Sequence, residues 1–285
     1  MSDGSDPYLY PGTGILRNIP GLRNVDQLAA FETLNTARRS YELLRNPAFG
    51  KFDAAHLMAI HKHVFQDVFS WAGEFRTTLL GKAEHLGQPA TWFTPPHLLE
   101  HEAQRIFDLL NQANLLRGLR RVEFARQAAR LLAEINKLHP FREGNGRTQR
   151  LFVDALAVQA GHELYFDVVS RERMVQASIE ANGGNPGMMM RMFEEITNAG
   201  RIQPLRRAIA FLSREKFNWN DTYIATTTAG ENYAGRLVGR DGEAFMMRSD
   251  DDRILIGRVA DIDPVAQGGD HILFRAARVR SDARP

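Results

Sequence analysis

The stretch His139–Arg150, HPFREGNGRTQR, places a histidine, a carboxylate, two glycines and three arginines within twelve residues. The positions after Gly144 show a helical pattern of apolar residues, so Gly144, Asn145 and Gly146 would form the N-terminus of a helix. Unpaired N–H groups and the positive end of the helix dipole attract anions there, and glycine lets the backbone approach a ligand closely. The spacing therefore predicts a binding site for an anion such as phosphate.

Five side chains around this turn suit phosphoryl-transfer chemistry. Arg147 can present a planar fork to phosphate oxygens, and Arg150, one turn further on, can reach the same anion or a neighbouring carboxylate. Asn145 can add an amide donor. Glu143 beside a polyphosphate would hold Mg²⁺, which prefers carboxylate, water and phosphate oxygens. A histidine has the intrinsic pKa of a general base near neutral pH, so His139 could deprotonate an incoming hydroxyl.

The residues alone leave a second interpretation open, in which this stretch is only a glycine-containing turn between two helices. The motif is neither a GxxxxGK[ST] phosphate loop nor a GxGxxG turn after a strand. In its chemical interpretation it is a nucleotide phosphate site with a carboxylate-held Mg²⁺ and a base. Positioning and charge neutralisation would then supply most of the catalysis.

Helices must position these residues, because apolar residues recur at helix spacing as far as about Leu212. The first predicted helix starts after Asn24, a plausible N-cap, and the second covers residues 51–69, with Asp53 near its start. A third starts after Thr94, a fourth ends at His139, and a fifth runs from about Asn145 to Gly161. Three more are predicted in the stretches SRERMVQASIEA, PGMMMRMFEEITNA and PLRRAIAFLSREKF. Between Arg76 and about Thr94 the run TTLLGKAEHLGQPATWFT interrupts this pattern. It predicts a β-hairpin or ordered flap within a helical domain, and we call residues 76–94 the flap.

After Asn218 the pattern changes to short β-prone runs separated by the turn signals AGEN, RDGE and SDDD. Asp241-Gly242 within the second signal is typical of a tight hairpin. Several short strands at this spacing predict a small antiparallel barrel or sandwich, with the boundary near Phe217. The fold class expected is therefore mainly α, a helical bundle with a β-hairpin flap, followed by a small all-β domain.

Composition narrows the classes of function. The 285 residues carry a formal net charge of only +2, which does not argue for nucleic-acid or membrane binding. No window of the sequence is long and apolar enough to cross a membrane, and the polar start MSDGSDPYLYPGTG is not a secretory signal. The absence of cysteine excludes disulfides and thiolate metal sites.

HPFREGNGRTQR matches the signature of the Fic family, HPFx[DE]GNGRxxR, at every specified position. The segments DVFSWAGEFRT and EANGGNPGMMMRMFEEI also resemble parts of that family, and the resemblance covers roughly residues 25–199. It implies transfer of AMP from ATP to a hydroxyl side chain (Ser, Thr or Tyr) of a target protein, with release of pyrophosphate. The intact GNGR core favours AMP transfer, whereas a different nucleotide or phospho-donor, or a catalytically silent docking module, remain as alternatives.

The resemblance assigns a role to each signature residue in turn. By position these are His139 as the base, Phe141 as the apolar anchor of the loop, Glu143 as the Mg²⁺-binding acid, Gly144, Asn145 and Gly146 as the anion hole, Arg147 on the distal phosphates and Arg150 supporting the cradle. The flap resembles the element that pairs with an extended target segment by strand addition. On this chain that assigns target docking to Thr77, Thr78, Leu79 and Leu80.

Many members of this family are inhibited by a helix carrying [ST]xxxE[GN]. The formal match Thr227–Asn232, TTAGEN, falls at a predicted turn in the β-rich tail, so inhibition is expected to need a separate small antitoxin-type protein or not to occur. The start PYLYPGTG followed by a Fic core and a small β domain resembles the Bep group of type IV secretion effectors. This implies a chain made in the bacterial cytoplasm, exported into the cytosol of a host or recipient cell, and a fragment lacking a delivery domain.

The resulting domain organisation has three parts. An extended N-terminal segment is expected over residues 1–24, the Fic domain over residues 25–217, and a small β-barrel domain resembling an OB fold over residues 218–285. The β domain shows no interleaved basic and aromatic stripe, so we expect a spacer or docking module rather than a nucleic-acid-binding domain.

Overall fold

The computed structural model describes residues 6–46, 50–82 and 91–278. The backbone divides into two compact units. The first comprises Met1–Leu119 and Arg130–Glu163, and the second comprises Arg120–Ala129 and Leu164–Pro285.

The first two helices begin close to where the sequence predicts, each with a side-chain cap. Asn24 accepts hydrogen bonds from the Asp26 and Gln27 N–H groups, and Asp53 accepts one from the His56 N–H group. Such side chains satisfy backbone donors that have no partner within the helix. The α-helices are α1 (Val25–Arg45), α2 (Ala54–Phe65), α3 (Leu99–Gln112), α4 (Arg121–Leu138), whose first half lies in the second unit, and α5 (Asn145–Ala160), with 3-10 turns at Pro96–Leu98 and Asn114–Leu116.

Helix α2 lies at the centre of this unit, in contact with α1, α3 and α5. Its apolar residues Leu57, Val64 and Phe65 are completely buried. The helix is shorter than predicted: it ends at Phe65, and residues 66–68 continue as turns. Other fully buried aromatic side chains of this unit are Phe52, Phe69, Phe107, Phe141 and Phe152.

The flap is described only at its base. Strand β1 (Gly81–Lys82) pairs antiparallel with β2 (Thr91–Trp92), and the Phe93 N–H group donates to the Leu80 carbonyl at 3.2 Å. This confirms a hairpin at the predicted place. Residues 77–80 precede β1 without forming a strand, and the predicted hairpin tip, residues 83–90, lies outside the described residues.

The N-terminal segment is tied to this unit by its own polar contacts. An isolated β-bridge joins Leu9 and Leu16. The Thr77 N–H group donates to the Tyr8 hydroxyl at 3.1 Å, and the Tyr8 ring meets the Trp71 ring edge-on. The start of the chain therefore contacts the base of the flap.

The second unit contains three further helices and a sheet. The helices are α6 (Arg171–Asn182), α7 (Gly187–Ile196) and α8 (Ala199–Arg214). Ser170 caps α6 by accepting from the Arg173 N–H group. Helix α8 begins five residues before the predicted start at Pro204, because Asn198 provides an N-cap and the proline is accommodated inside the helix.

Five strands form one sheet in the order β3-β6-β5-β4-β7. They are β3 (Ile224–Thr226), β4 (Asn232–Arg240), β5 (Ala244–Ser249), β6 (Ile254–Arg258) and β7 (His271–Arg275). All three predicted turns lie between strands, and the Asp241 carboxylate closes the β4–β5 turn by accepting from the Glu243 and Ala244 N–H groups, each at 2.7 Å. One pairing differs from the antiparallel expectation, since β3 runs parallel to β6.

The prediction of a mainly helical core followed by a small β region is confirmed. Closure of the sheet into an OB-like barrel stays a prediction. The inward side chains Leu237, Phe245 and Met247 are buried together with others from β6 and β7. Within the described part of the chain, no helix is long and apolar enough to span a membrane.

A buried ion pair holds helices α6 and α7 to the edge of this sheet. Arg173 and Glu195, each with a side chain only 2% exposed, form a direct ion pair. Glu195 also accepts hydrogen bonds from the Thr226 N–H and hydroxyl groups, and Arg173 donates to the Ile224 carbonyl at 3.2 Å. Each of the two side chains therefore also has a hydrogen-bond partner on strand β3.

Replacing Glu195 with alanine should destabilise the second unit strongly. The substitution leaves the buried Arg173 cation without its counter-ion, and breaking such a pair costs about 3–5 kcal/mol. Glu194→Ala is the matched control, because Glu194 pairs with Arg126 at the surface, and exposed pairs contribute about 0–1 kcal/mol. Urea denaturation of both variants measures the difference; equal losses of unfolding free energy would contradict the role of the buried pair.

Candidate active site

The signature loop, residues 138–144, is closed by one side-chain amide. Asn145 accepts from the Phe141 N–H group at 3.0 Å and donates its Nδ2 to the Phe141 carbonyl at 2.7 Å. Asn145 is 3% exposed, so its amide is occupied within the protein. This differs from the expectation that the Asn145 side chain offers a donor to an anion, because the loop backbone needs both of its polar atoms.

Phe141 is buried beneath this loop. Its ring is completely buried and stacks on the His61 ring, with ring centroids 3.8 Å apart and planes within 11°. The amide contacts of Asn145 and this stack fix both the backbone and the side chain at position 141. The loop therefore presents its neighbouring residues from a rigid base.

Gly144 turns the chain from the loop into helix α5. It has φ +81°, in the left-handed region, and a Cβ atom at this position would overlap the Phe65 ring. No side chain in the described part of the protein caps the N-terminus of α5. The first N–H groups of this helix are consequently presented by a glycine-flanked turn, in the arrangement that favours anion binding.

Arg147 in the first turn of α5 is held by helix α1. Its Nη1 donates to the Thr36 hydroxyl at 2.9 Å, and its Nη2 pairs directly with the Glu32 carboxylate. The guanidinium carbon also lies 4.8 Å from the centre of the Phe65 ring. The sequence motif did not identify Glu32 or Thr36, because both belong to a distant helix with no chemical signature of its own.

Arg150, one turn along α5, has no ion-pair partner among the described residues. Its side chain is partly buried, and burial is the main cause that lowers the pKa of its guanidinium; the nearby charge of Arg147 acts in the same direction. The positive charges of both arginines lie on the first two turns of α5. An anion bound there would relieve their repulsion.

Glu143 presents its carboxylate from the other side of the turn. The side chain is 44% exposed, and its Oε1 lies 3.8 Å from Nη2 of Arg147. The Glu143 carbonyl accepts from Nε2 of His61 at 3.0 Å, while Nδ1 of His61 accepts from the Gly73 N–H group at 2.8 Å. His61 is therefore neutral, with its proton on Nε2, and it fixes the backbone that carries Glu143.

The donor set fits a magnesium ion only as part of a nucleotide complex. Among the described residues, no group of three or more His, Cys, Asp or Glu side chains could hold a metal by itself. A single exposed carboxylate beside an anion site suits Mg²⁺, which typically keeps water and phosphate oxygens as its other ligands. Glu143 meets that description.

His139 has an unusual backbone conformation at the end of α4. Its φ is +46°, which is uncommon for a residue with a side chain. The imidazole stacks on the Phe93 ring, with centroids 3.7 Å apart and planes within 10°. Its carbonyl accepts from Nε of Arg76 at 2.8 Å. Phe93 and Arg76 both belong to the flap, so the flap base sets the position of the histidine.

The structure thus brings together the signature residues as a loop, a helix N-terminus and two arginines. Residues 77–80, predicted to bind a target, lie at the flap base, where the Thr78 carbonyl is taken by Arg76 and the Leu79 side chain is 55% exposed. The motif did not identify the residues that contact it from other parts of the chain. These are His61, Phe93, Arg76, Glu32 and Thr36. Each is distant in sequence and acts through tertiary contact.

Comparison with known proteins places this site in a family. The model of the Fic/DOC family matches residues 51–157. A protein adenylyltransferase of Bartonella henselae is 33% identical over 286 residues, covering 95% of this chain and 52% of the relative. The chain thus spans about half the length of that relative.

Two solved structures are similar as well. The type IV secretion system effector protein BepA superposes with a TM-score of 0.85 at 32% identity, covering 96% of this chain and 97% of that structure. The BepC protein of Bartonella tribocorum, a VirB-translocated effector solved with bound AMPPNP, gives a TM-score of 0.62 at 33% identity, covering 67% and 96%.

Gly144→Ala should destabilise the protein, whereas Gly146→Ala should not. At position 144 the left-handed backbone and the overlap with Phe65 combine into an expected loss of about 3 kcal/mol. At position 146 the nearest neighbour of a new Cβ would be the flexible end of Arg150 at 3.3 Å, and alanine is the better helix former. Denaturant unfolding of the two variants tests this, and equal midpoints would contradict it.

The stability of the protein should fall in acid through His61. Burial is the main cause that lowers its pKa from 6.5 to about 4, so between these values the unfolded chain binds more protons than the folded one. Unfolding free energy should therefore be highest above about pH 6.5 and lose up to about 3 kcal/mol as the pH falls towards 4.

Unfolding free energies of the wild type and of His61→Gln, measured from pH 4 to 7, check this expectation. The variant should lose most of the pH dependence in this range. His97→Gln, at an exposed position, should keep the wild-type slope. A His61→Gln profile parallel to the wild type would show that another group carries the effect.

Proposed function

This chain belongs to the Fic/DOC family, and from that premise we propose that it transfers AMP from ATP to a hydroxyl side chain of a target protein. The observation that carries the proposal is the N-terminus of α5 with the Arg150 guanidinium beside it, neither of which has a capping side chain or an ion-pair partner among the described residues. Both features call for an anion. The relative named protein adenylyltransferase and the AMPPNP-bound structure support a nucleotide as that anion.

In this proposal His139 is the general base. The oxygen of the target hydroxyl attacks the α-phosphorus of ATP, and the His139 imidazole accepts the hydroxyl proton. The bond between the α-phosphorus and the oxygen bridging to the β-phosphate breaks, and pyrophosphate leaves with that oxygen. Stacking on Phe93 orients the ring, so that the proton acceptor is held in place before the substrate arrives.

The phosphates would lie at the turn into α5. The backbone N–H groups of Gly144, Asn145 and Gly146 and the positive end of the helix dipole stabilise negative charge there. Arg147 and Arg150 would contact the distal phosphates, whose charge grows on the leaving group. Arg147 is already oriented by Thr36 and Glu32, so little of its conformational freedom remains to be lost on binding.

We assign Mg²⁺ to Glu143, as part of the ATP complex. When bound, the ion neutralises phosphate charge and helps the leaving pyrophosphate to depart. The role of the protein is to keep the Glu143 carboxylate accessible. His61 binds the backbone carbonyl of Glu143, and the Glu143 side chain is half-exposed.

The target would bind along the flap by strand addition, with Thr77, Thr78, Leu79 and Leu80 as the contact residues. The paired strands β1 and β2 and the exposed Leu79 and Trp92 side chains support this assignment. Backbone hydrogen bonds at such an edge supply affinity, and side chains on alternate positions supply selectivity.

The organisation and regulation of the chain follow the same resemblance. We propose three parts: an N-terminal segment over residues 1–24, a Fic domain over 25–217 and a β domain over 218–285. We also propose that the protein is a secreted effector, made in the bacterial cytoplasm and active in the cytosol of another cell. The likeness to BepA supports both proposals. TTAGEN is a turn between β3 and β4 rather than a helix. An inhibitor would therefore be a separate small protein.

Labelled ATP distinguishes the proposal from its rivals. The protein is incubated with lysate and ATP labelled at the α- or the γ-phosphate, beside His139→Ala. Labelling of a target from the α-position alone, abolished in the variant, is the expected result. Labelling from the γ-position alone would show kinase chemistry. Labelling that does not depend on His139, or none with any donor, would overturn the assignment and favour a docking module.

A further inference from the structure

Arg76 is a buried cation with no carboxylate partner in the described part of the chain. The residue is 2% exposed, and burial lowers the pKa of its guanidinium. Its donors point to backbone carbonyl oxygens instead: Nε to His139 at 2.8 Å, Nη1 to Thr78 at 2.7 Å, and Nη2 to Thr94 and Leu138. A buried charge needs such partners, and carbonyl dipoles supply them here.

These carbonyls belong to three separate pieces of chain. Thr78 lies on the first arm of the flap, Thr94 ends its second arm, and Leu138 and His139 begin the signature loop. The Arg76 N–H group adds a hydrogen bond to the Pro140 carbonyl at 2.8 Å. One residue therefore joins both arms of the flap to the backbone of the loop that carries the base.

The same contact fixes the orientation of His139. Its φ of +46° is not the conformation that a histidine prefers, and the Arg76 Nε bond captures the carbonyl that this conformation turns towards the flap. The ring is aligned by Phe93, which directly precedes Thr94. Both the backbone and the ring of His139 are thus positioned with respect to Arg76.

We propose that Arg76 is a positioning residue that fixes the distance between a target segment on the flap and the His139 base. The proposal rests on the proposed AMP transfer and adds the element that aligns its two reactants. A target held by the flap can present its hydroxyl to His139 only if the flap and the signature loop keep a fixed position relative to each other. A displacement of about 1 Å at such a site costs about 100-fold in rate.

Arg76→Lys tests this because it keeps the charge and removes the fork. The planar guanidinium of arginine reaches both arms of the flap and the loop at once, whereas the compact ammonium group of lysine cannot. We expect kcat for target labelling to fall by about 100-fold, while KM for ATP changes less than about threefold, because Arg76 contacts none of the groups proposed to bind phosphate. Methylguanidinium added to Arg76→Ala should restore part of the rate.

The control is Arg117→Lys, an exposed arginine of the same unit outside the site, which should behave as wild type. A folded Arg76→Lys with wild-type kcat would overturn the proposal. So would a loss confined to KM for ATP, since that would place Arg76 in nucleotide binding.

Hydrogen exchange tests the coupling without any enzymatic readout. The Phe93 amide, bonded to Leu80, the Thr94 amide, bonded to Lys137, and the His139 amide, bonded to Ile135, should all exchange faster in Arg76→Lys than in Arg117→Lys. Unchanged exchange at either the flap or the loop would overturn the coupling. If wild-type protein labels no target, the proposed function fails, and this comparison still decides the role of Arg76.

Should neither Arg76 variant fold, exchange in the wild-type protein under increasing denaturant decides the matter. The three amides should then open in one step, with the same dependence on denaturant. Flap amides that open in a separate, earlier step would overturn the proposal.

Discussion

The geometry of the first unit depends on the need to satisfy a charge that has been removed from water. The Arg76 guanidinium lies in the interior with no counter-ion among the described residues, and carbonyl groups of the flap and of the signature loop accept its hydrogen bonds. Each carbonyl that does so fixes the direction of its own peptide. Because a buried donor without a partner costs free energy, these hydrogen bonds restrain the backbone conformation. His139, whose φ is positive, is one of the residues restrained in this way.

Two further buried polar groups extend this principle along the loop. Asn145 uses its amide on both polar atoms of Phe141, and His61 joins the Gly73 N–H group to the Glu143 carbonyl. Neither offers a side chain to a ligand. Both side chains use their hydrogen-bonding atoms on backbone groups of the protein interior. The N–H groups at the start of α5 and the Glu143 carboxylate are left for other partners.

The sequence predicted what is encoded locally. Asn24 marked the start of the first helix, Asp241-Gly242 marked a hairpin, and the order of signature residues indicated a loop followed by a helix N-terminus. Contacts between distant segments were not predictable, because an arginine in FRTT or a glutamate in AFETL has no local pattern that specifies its partner. The parallel pairing of β3 with β6 belongs to the same class, since it follows from the path of the chain rather than from the composition of either strand.

The two arginines of α5 illustrate how that distinction bears on function. Their spacing in the sequence makes them equivalent phosphate ligands, yet the fold gives them different surroundings. Arg147 forms an ion pair with Glu32, whereas Arg150 has no ion-pair partner in the described part of the chain, and burial and the charge of Arg147 lower the pKa of its guanidinium. The Glu32 carboxylate therefore offsets part of the positive charge of Arg147, whereas the charge of Arg150 adds to the positive end of the helix dipole. The difference between the two arginines thus comes from helix α1, an element outside the motif.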